Sequence, residues 1–382
     1  MSRLDWVRER MPILHQLKAD FVKSKPFAGK RIGICLHVEA KTGIWLETLL
    51  AGGAEIAITG SPGTTQDEVA AALVREYGVQ VFSRKNESFE EHLDNISKVL
   101  STVPDLIADN GADIHKLALH NPDFTRITSK IIGATEETTS GALRLREDFS
   151  DFSFPTIIIN DTRAKRIVEN RYGVGQSVVD AIMRCSNLLI GGKRVTVIGY
   201  GYCGQGIARA LRGLGARVTV VDNDPLTRLE AHVEGYDTAH LEETLPNSDI
   251  VITVTGRPDA LKSEHMLLMK DKVMLCNAGH FETEINLSAL RDMAEQAKEI
   301  MPDIEQFKLS NGKSIYLISR GNLVNLTAGD GNPIEVMDLG LALQSLSLAY
   351  LADTGNSLPV GPQSMPEKIE TDVAMRALDA WT

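Results

Sequence analysis

The chain has 382 residues and a formal net charge of −11, with 43% apolar and 24% charged residues. At roughly 150 residues per domain this length predicts two or three domains, and the composition excludes a mostly disordered chain. The acidic balance argues against non-specific binding to nucleic acid or to an anionic membrane surface.

The N-terminal segment is charged and lacks the apolar core of a signal peptide, and no apolar run approaches the ~18 residues of a membrane span. The four cysteines form no CxxC pair, which indicates neither a disulfide framework nor a zinc ribbon, and we predict no metal site. We therefore expect a cytoplasmic protein without a membrane partner.

Short runs rich in Val and Ile alternate with amphipathic stretches in the first part of the chain. Strands are predicted at 31–38, 55–59, 79–83, 105–108 and 154–159, and helices at 42–51, 66–77 and 89–101. Continuous apolar runs between helices favour a parallel sheet that is covered on both faces. The pattern predicts an α/β fold.

A second alternating block follows a predicted helix near 175–187. Its strands are predicted at 194–199, 217–222, 250–255 and 272–276. A leucine-rich helix at 331–351 comes next, and the tail beyond it is polar and carries three prolines, so we expect the tail on the surface.

A glycine motif opens this second block. Gly199, Gly201 and Gly204 form GxGxxG between a predicted strand and a predicted helix, and the next strand ends at Asp222. This is the layout of a dinucleotide-binding βαβ unit, in which the glycines admit the pyrophosphate at the helix N-terminus. A carboxylate at 222 would bind ribose hydroxyls and repel a 2′-phosphate, which favours NAD over NADP. The alternative is a glycine turn that serves packing alone.

Five further motifs give the chain a specific resemblance. They are GATEETTSG, INDTRAK followed by ENRYG, VIGYGYCGQG, CNAGHFETEI and NLVNLTAGDGNP. With these motifs the chain resembles the S-adenosylhomocysteine hydrolases, especially the archaeal-type members, over nearly its whole length.

The resemblance implies a Rossmann-type NAD-binding domain inserted in a second α/β domain, with a C-terminal return helix. The implied divisions are a substrate domain at 1–184, the NAD domain at 185–331, the return helix at 332–352 and a surface tail at 353–382. It also implies a homotetramer or homodimer.

The implied chemistry uses bound NAD to oxidise a nucleoside 3′-hydroxyl, which acidifies the C4′ hydrogen so that a 5′ thiol can leave and water can add. The substrate would be a nucleoside or an S-nucleosyl-homocysteine. The resemblance implies catalytic roles for His37, Asp109, Asn110, Lys165, Glu169 and His280. It implies substrate contacts for Glu39, Lys41, Thr42, Glu137, Asn170, Asp330 and Asn332. Cofactor contacts are implied for Thr138, Thr139, Ser140, Gly199, Gly201, Tyr202, Cys203, Gly204, Asp222, Thr255, Ala278, Gly279 and Asn325.

The chain departs from the family pattern where the base would be read. Glu39 and Lys41 replace a Thr and a Glu that contact the ribose region and the adenine amino group, and Asn332 replaces a flap histidine. Lys41 has donors only, so it would suit a carbonyl such as hypoxanthine O6, a carboxylate or a phosphate. The alternative is an ion pair between Lys41 and Glu39 that merely lines the pocket. Asn110 replaces an Asp and removes one acid–base group.

Three functions remain open at this point. The first is a hydrolase of the adenosylhomocysteine type with an altered base or substrate, such as the inosyl form. The second is an NAD-dependent nucleoside oxidoreductase, epimerase or lyase. The third is a non-catalytic regulator that binds NAD and a nucleoside, and the presence of Lys165 and His280 argues against it.

Overall fold

A computed structural model describes residues 3–279 and 282–382, with only the backbone described at Glu282. Its strands are β1 Arg31–Cys35, β2 Glu55–Thr59, β3 Gln80–Val81, β4 Leu106–Asp109, β5 Gly133–Glu136, β6 Pro155–Ile158, β7 Arg194–Ile198, β8 Arg217–Val221, β9 Asp237–Thr238, β10 Ile250–Thr253, β11 Val273–Asn277, β12 Ala294–Met301, β13 Ile304–Leu309, β14 Ser314–Ile318 and β15 Gly361–Ser364.

The α-helices follow the same order along the chain. They are α1 Arg3–Glu9, α2 Pro12–Ser24, α3 Ala40–Ala51, α4 Asp67–Tyr77, α5 Phe89–Ser101, α6 Asp113–His120, α7 Thr125–Thr128, α8 Thr139–Glu147, α9 Val174–Ser186, α10 Tyr202–Gly213, α11 Pro225–Val233, α12 Leu241–Thr244, α13 Ser263–Leu268, α14 Leu287–Met293, α15 Val324–Thr327, α16 Ile334–Thr354 and α17 Glu367–Trp381. A π-helix, Lys165–Gly173, precedes α9.

The chain forms two compact units. The first runs to Arg166 and resumes with Ile334–Thr382, and the second is Ile167–Pro333. The first unit holds a seven-stranded sheet with the order β15-β6-β5-β4-β1-β2-β3, in which every neighbouring pair is parallel. Its central strands are buried along almost their whole length, as expected for a sheet with helices on both faces.

The second unit holds an eight-stranded sheet with the order β12-β13-β14-β11-β10-β7-β8-β9. Its pairs are parallel except at one edge, where β12, β13 and β14 form an antiparallel meander. The predicted α/β fold is therefore confirmed, although the sequence pattern missed this meander and also β5, whose GATE sequence lacks the Val and Ile of a typical strand.

The boundary between the units lies earlier than the predicted residue 185, because α9 belongs to the second unit. A Cβ at Gly175 would lie 2.6 Å from the carbonyl of Gly206, so the two glycines allow α9 and α10 to approach backbone to backbone. This contact depends on residues far apart in sequence, which periodicity does not show.

The predicted surface tail needs a similar correction. Strand β15 pairs with β6 at the edge of the first sheet, and α17 packs against α2 and α16. Val373 and Ala377 of α17 are buried. The tail therefore contributes to the core of the first unit.

Helix α16 corrects the expectation that no segment is long and apolar enough to span a membrane. By length and composition Ile334–Ser357 meets that criterion, but 67% of its apolar window is buried in the structure. The helix packs against α2, α3 and β5, so most of its faces are apolar because they lie in a core. Its Asp338 accepts the backbone N–H groups of Ile13 and Leu14 at 2.8 Å each.

Candidate active site

The carboxyl edge of the first sheet collects the predicted catalytic groups of the first unit. His37 follows β1, Asn110 follows β4 and Glu137 follows β5, and these three strands are neighbours in the order β5-β4-β1. Ligands bind at this edge in open α/β sheets. The loops after adjacent strands therefore bring distant parts of the sequence together.

Glu137 is the centre of this group and is 2% exposed. Its Oε1 accepts from Lys165 Nζ at 3.0 Å, and its Oε2 accepts from Asn110 Nδ2 at 3.0 Å. Burial alone would raise the pKa of Glu137, but the Lys165 charge, both hydrogen bonds and nearby His37 hold it below its usual range. Glu137 therefore stays ionised and orients both Lys165 and Asn110.

The amide of Asn110 has a defined orientation because a carboxylate only accepts hydrogen bonds. Its Nδ2 faces Glu137, so its Oδ1 points elsewhere. That oxygen is buried and has no hydrogen-bond partner among the described residues. Asn110 thus presents an acceptor but not an exchangeable acid.

The hydrogen bonds of Thr64 indicate the tautomer of His37. Thr64 Oγ1 donates its proton to the Ser61 carbonyl at 2.7 Å and lies 3.0 Å from His37 Nδ1. Since the hydroxyl has one proton, His37 Nδ1–H must be the donor in this pair. The lone pair of a neutral His37 ring is then on Nε2, as a base requires.

Glu39 and Lys41 form an ion pair, as one of the two interpretations of these residues predicts. Lys41 Nζ lies 3.3 Å from Glu39 Oε2, and the same oxygen accepts the backbone N–H of Lys41 at 3.0 Å. The pair is at the start of α3, and Thr42 beside it is also buried. With Glu39 and Lys41 only 6% and 5% exposed, this is a buried pair rather than a surface one.

Asp109 has inward contacts that sequence reasoning did not predict. Its Oδ2 lies 2.7 Å from His115 Nδ1, and His115 Nε2 lies 3.0 Å from Thr156 Oγ1. Its other oxygen accepts the backbone N–H of Asn110. These bonds anchor the loop that carries Asn110, whereas the resemblance implies that Asp109 itself acts in catalysis.

Glu136 is a second anchor that the sequence did not reveal. It accepts the backbone N–H groups of Gly111, Ala112 and Thr138, and the Thr138 hydroxyl at 2.7 Å. Burial, together with the charge of Asp109, raises the pKa of Glu136 to about 8. Ligating atoms of Asp109, His115 and Glu136 lie within 4.8 Å of one another, but hydrogen bonds already occupy them, so we assign no metal.

The predicted cofactor contacts of the first unit lie at the start of α8. Thr138 caps this helix by accepting the N–H of Gly141 at 3.0 Å, and Ser140 Oγ lies 3.2 Å from Thr138 Oγ1. Thr139 is exposed and donates to Asn160 Oδ1 at 3.0 Å. Thr139 is therefore more exposed than Thr138 and Ser140.

The glycine motif of the second unit has the predicted geometry. Gly199 has φ +102° directly after β7, and a Cβ there would lie 2.7 Å from the Val254 carbonyl oxygen. A Cβ at Gly204 would lie 2.1 Å from the Gly199 oxygen, whereas one at Gly201 would meet no protein atom within 4 Å. Protein packing therefore explains two glycines, and the open space at Gly201 fits a phosphate at the start of α10. Tyr202 and Cys203 form the first turn of that helix.

Asp222 lies directly after β8 and is held towards the glycine turn. Its Oδ2 accepts the N–H of Tyr200 at 2.8 Å, and its Oδ1 accepts the N–H of Asp224 at 2.9 Å. A carboxylate has about four acceptor positions, so these two bonds leave capacity for ribose hydroxyls. This arrangement fits the predicted preference for NAD.

Buried Glu284, which sequence reasoning also missed, shapes the loops around Thr255 and Gly279. It accepts the N–H of Thr255 at 2.8 Å and of Gly256 at 2.7 Å. A Cβ at Gly279 would lie 1.5 Å from Glu284 Oε1, so only glycine fits there. Ala278 is buried next to Gly279. The predicted catalytic His280 lies outside the described residues.

The remaining predicted residues of the second unit divide between the π-helix and the region around α15. Glu169 and Asn170 lie in the π-helix and are buried, and Asn325 lies in α15. Asn325 Oδ1 is buried without a hydrogen-bond partner among the described residues, which fits a donor on the cofactor. Asp330 forms an ion pair with Arg184 at 3.1 Å.

Two protein-family models match the chain. The family model described as S-adenosyl-L-homocysteine hydrolase matches residues 2–123, and the one described as its NAD binding domain matches residues 170–331. A protein of Methanopyrus kandleri named S-inosyl-L-homocysteine hydrolase is 44% identical over 99% of this chain and 89% of its own length. The chain belongs to the S-adenosyl-L-homocysteine hydrolase family.

A second relative of this family carries a different name. The adenosylhomocysteinase of Sulfurisphaera tokodaii is 41% identical over 99% of this chain and 91% of its own length. Among solved structures, a dipicolinate synthase protein from Bacillus halodurans matches with a TM-score of 0.51 and 14% identity, covering 86% of this chain and 100% of its own. That similarity shows the fold alone.

Family membership confirms the predicted cofactor and the predicted class of reaction. The cofactor is NAD, and the activity is NAD-dependent hydrolysis of an S-nucleosyl-homocysteine. Which nucleoside the chain accepts is a separate question, because relatives of nearly equal identity carry the inosyl and the adenosyl names.

Proposed function

We propose that this hydrolase acts on an S-nucleosyl-L-homocysteine whose base is a 6-oxopurine such as hypoxanthine. The observation that carries the proposal is the buried ion pair of Lys41 and Glu39 at the start of α3. A buried charged pair is costly to desolvate, so its presence beside the site favours a role in recognising polar groups.

The pair matches the edge of hypoxanthine. That base has an acceptor at O6 and a donor at N1–H, whereas adenine has a donor at N6 and an acceptor at N1. The resemblance places Lys41 where the family has the Glu that accepts from adenine N6. An ammonium group cannot accept a hydrogen bond, so Lys41 would repel the N6 donor and suit O6, while Glu39 would suit N1–H.

The proposed roles in the first unit follow from its contacts. Lys165, oriented by Glu137, would in its neutral form take the 3′-hydroxyl proton while the C3′ hydrogen leaves as hydride. Asn110 accepts a hydrogen bond from the substrate through its unpaired Oδ1, and His37 handles a proton at Nε2. Asp109 anchors the Asn110 loop instead of transferring a proton.

The second unit would hold the cofactor, which supplies reversible hydride acceptance when it is bound. Gly199, Gly201 and Gly204 would surround the pyrophosphate, and Asp222 would accept from the ribose hydroxyls. Asn325 Oδ1 would accept from the carboxamide of the nicotinamide ring. His280, Glu169, Asn170 and the hydroxyl groups of residues 138–140 keep the roles that the resemblance implies.

Base preference can be measured by reduction of the bound nicotinamide when a nucleoside is added. We expect inosine to reduce the bound nicotinamide at least about tenfold more efficiently than adenosine does, as measured by the absorbance of the reduced ring. The reason is that a mismatched buried polar group costs at least one hydrogen bond. The double variant E39T/K41E restores the family residues at both positions. It should reverse the preference towards adenosine.

Lys130→Glu is the control for the Lys41 substitution, because it makes the same lysine-to-glutamate change at an exposed position of the first unit. It should keep the wild-type preference. Adenosine preferred by the wild-type protein, or a preference that E39T/K41E leaves unchanged, would disprove the proposed base specificity while leaving the hydrolase assignment intact.

Assembly and location complete the proposal. We propose a homotetramer or homodimer, which light scattering of the purified protein would identify. A cytoplasmic location remains a prediction. The absence of a nucleic-acid partner also remains a prediction, which the acidic composition favours.

A further inference from the structure

Four side chains of the second unit form a connected set of hydrogen bonds, which we call the Asn332 network. Asn332 Nδ2 donates to Glu169 Oε1 at 3.3 Å. Asn332 Oδ1 accepts from Ser177 Oγ at 2.9 Å and from Asn325 Nδ2 at 3.4 Å. Asn325 Nδ2 also donates to Ser177 Oγ at 3.0 Å.

The carboxylate of Glu169 sets the direction of every bond in the Asn332 network. Because a carboxylate only accepts, Asn332 turns its amide nitrogen to Glu169 and its oxygen to the other side. That oxygen lies 2.9 Å from Ser177 Oγ, closer than the Val174 carbonyl at 3.3 Å, and so takes the single hydroxyl proton. A Ser177 lone pair is then left to accept from Asn325. Asn325 is therefore held with Nδ2 towards the network and Oδ1 away from it.

This orientation has a consequence for Asn325, which is 5% exposed. Its Oδ1 has no hydrogen-bond partner among the described residues. A buried acceptor is unfavourable unless a donor reaches it. The network therefore holds a buried acceptor that is suited to an N–H group on a ligand.

We propose that Asn332 is a positioning residue for the cofactor. Through Ser177 it fixes the amide of Asn325 so that Oδ1, and not Nδ2, meets the NH₂ group of the nicotinamide carboxamide. The inference rests on the NAD site proposed above. Without Asn332 the amide of Asn325 can turn over, and the protein loses its ability to distinguish this NH₂ group from a group without N–H.

The test compares two dinucleotides on the full-length chain freed of nucleotide, by titration calorimetry and without any nucleoside. NAD carries the carboxamide, and 3-acetylpyridine adenine dinucleotide keeps the carbonyl but has a methyl group in place of NH₂. We expect the wild-type protein to prefer NAD roughly threefold to tenfold, the contribution of one hydrogen bond. In Asn332→Ala and in Ser177→Ala the ratio of the two affinities should fall towards one.

Arg184→Ala is the matched control. It removes the ion pair with Asp330 in the same loop but leaves the Asn332 network intact, so it should keep the wild-type preference. Ser177→Ala removes a single oxygen atom, and it decides the outcome if Asn332→Ala disturbs the loop.

Two results would overturn the inference: an unchanged preference in Ser177→Ala, or an equal fall in Arg184→Ala. Failure of the proposed base specificity would leave this preference unchanged, since no nucleoside is present. The two proposals can therefore fail separately.

Discussion

The two units both place their predicted functional groups at the carboxyl edge of a sheet, but the first unit uses side chains and the second uses backbone. In the first unit the groups are buried side chains that bond to one another, such as Lys165 with Glu137 and Lys41 with Glu39. In the second unit the predicted phosphate site is backbone, shaped by Gly199 and Gly204.

The difference follows from what each ligand part requires. A pyrophosphate requires backbone N–H donors and space, which one short turn can supply. Proton transfer requires several side chains at defined distances, and neighbouring strands must supply them. Changes of charge should therefore damage the first unit most, and changes of volume the second.

Both units nevertheless use one device to hold their loops. A buried glutamate accepts backbone N–H groups and lies against a glycine, Glu136 against Gly141 and Glu284 against Gly279. A Cβ at Gly141 would lie 2.2 Å from the carboxyl carbon of Glu136. Each carboxylate therefore fixes loop geometry without the need for a direct contact with substrate.

The largest expected effect comes from removing the central charge of the first unit. Lys165→Ala should slow reduction of the bound nicotinamide by roughly 10²- to 10⁴-fold, because the 3′-hydroxyl loses the base that takes its proton. The amount of NAD carried by the purified protein should not change. Stopped-flow absorbance after nucleoside addition measures the rate, and Lys130→Ala, at an exposed lysine, is the control. Wild-type kinetics in Lys165→Ala would contradict the comparison.

A pH-dependent stability effect is expected from a buried carboxyl group of the first unit. Burial raises the pKa of Asp338 to about 7, although the N–H groups of Ile13 and Leu14 donate to it. Between about pH 4 and pH 7 the folded protein keeps a proton that the unfolded chain has lost, so the free energy of unfolding falls as the pH rises. Asp338→Asn should remove roughly 2 to 4 kcal/mol of that fall.

The sequence offers a selective probe for this measurement. All three tryptophans, Trp6, Trp45 and Trp381, belong to the first unit, so their fluorescence during urea unfolding reports on it. Glu136 also makes the free energy of unfolding fall as the pH rises, but it does so equally in wild type and in Asp338→Asn. The difference between these two proteins therefore reports on Asp338. If the free energy of unfolding depended on pH in the same way in wild type and in Asp338→Asn, the raised pKa of Asp338 would be refuted.

The smallest expected effect is a change of volume in the second unit. Gly204→Ala places a methyl group 2.1 Å from the Gly199 oxygen, and relieving such a clash costs about 1 to 3 kcal/mol. The affinity for NAD, measured by calorimetry, should fall roughly tenfold to a hundredfold. Gly213→Ala in the same helix meets no atom within 4 Å and should bind NAD as the wild type does. Equal affinities for both variants would break the contrast between the units.

Sequence reasoning succeeded where the signal is local. The helix Phe89–Ser101 has its predicted bounds because Ser88 and Glu91 form a capping box at its start. The turn at Gly199 and the strand before it are also predicted correctly, because the glycines and the apolar run are adjacent in the sequence. Even the family resemblance rests on short contiguous motifs.

The sequence by itself therefore determined the α/β class, the glycine turn and the residue types available for catalysis. Only the tertiary structure decided that α9 belongs to the second unit, through Gly175 and Gly206, and that the tail adds β15 to the first sheet. It also decided that Asp109 bonds inward to His115 while Asn110 faces Glu137. Asp109 ends β4 and Asn110 begins the loop after it, and the partner that each side chain meets depends on residues far away in the sequence.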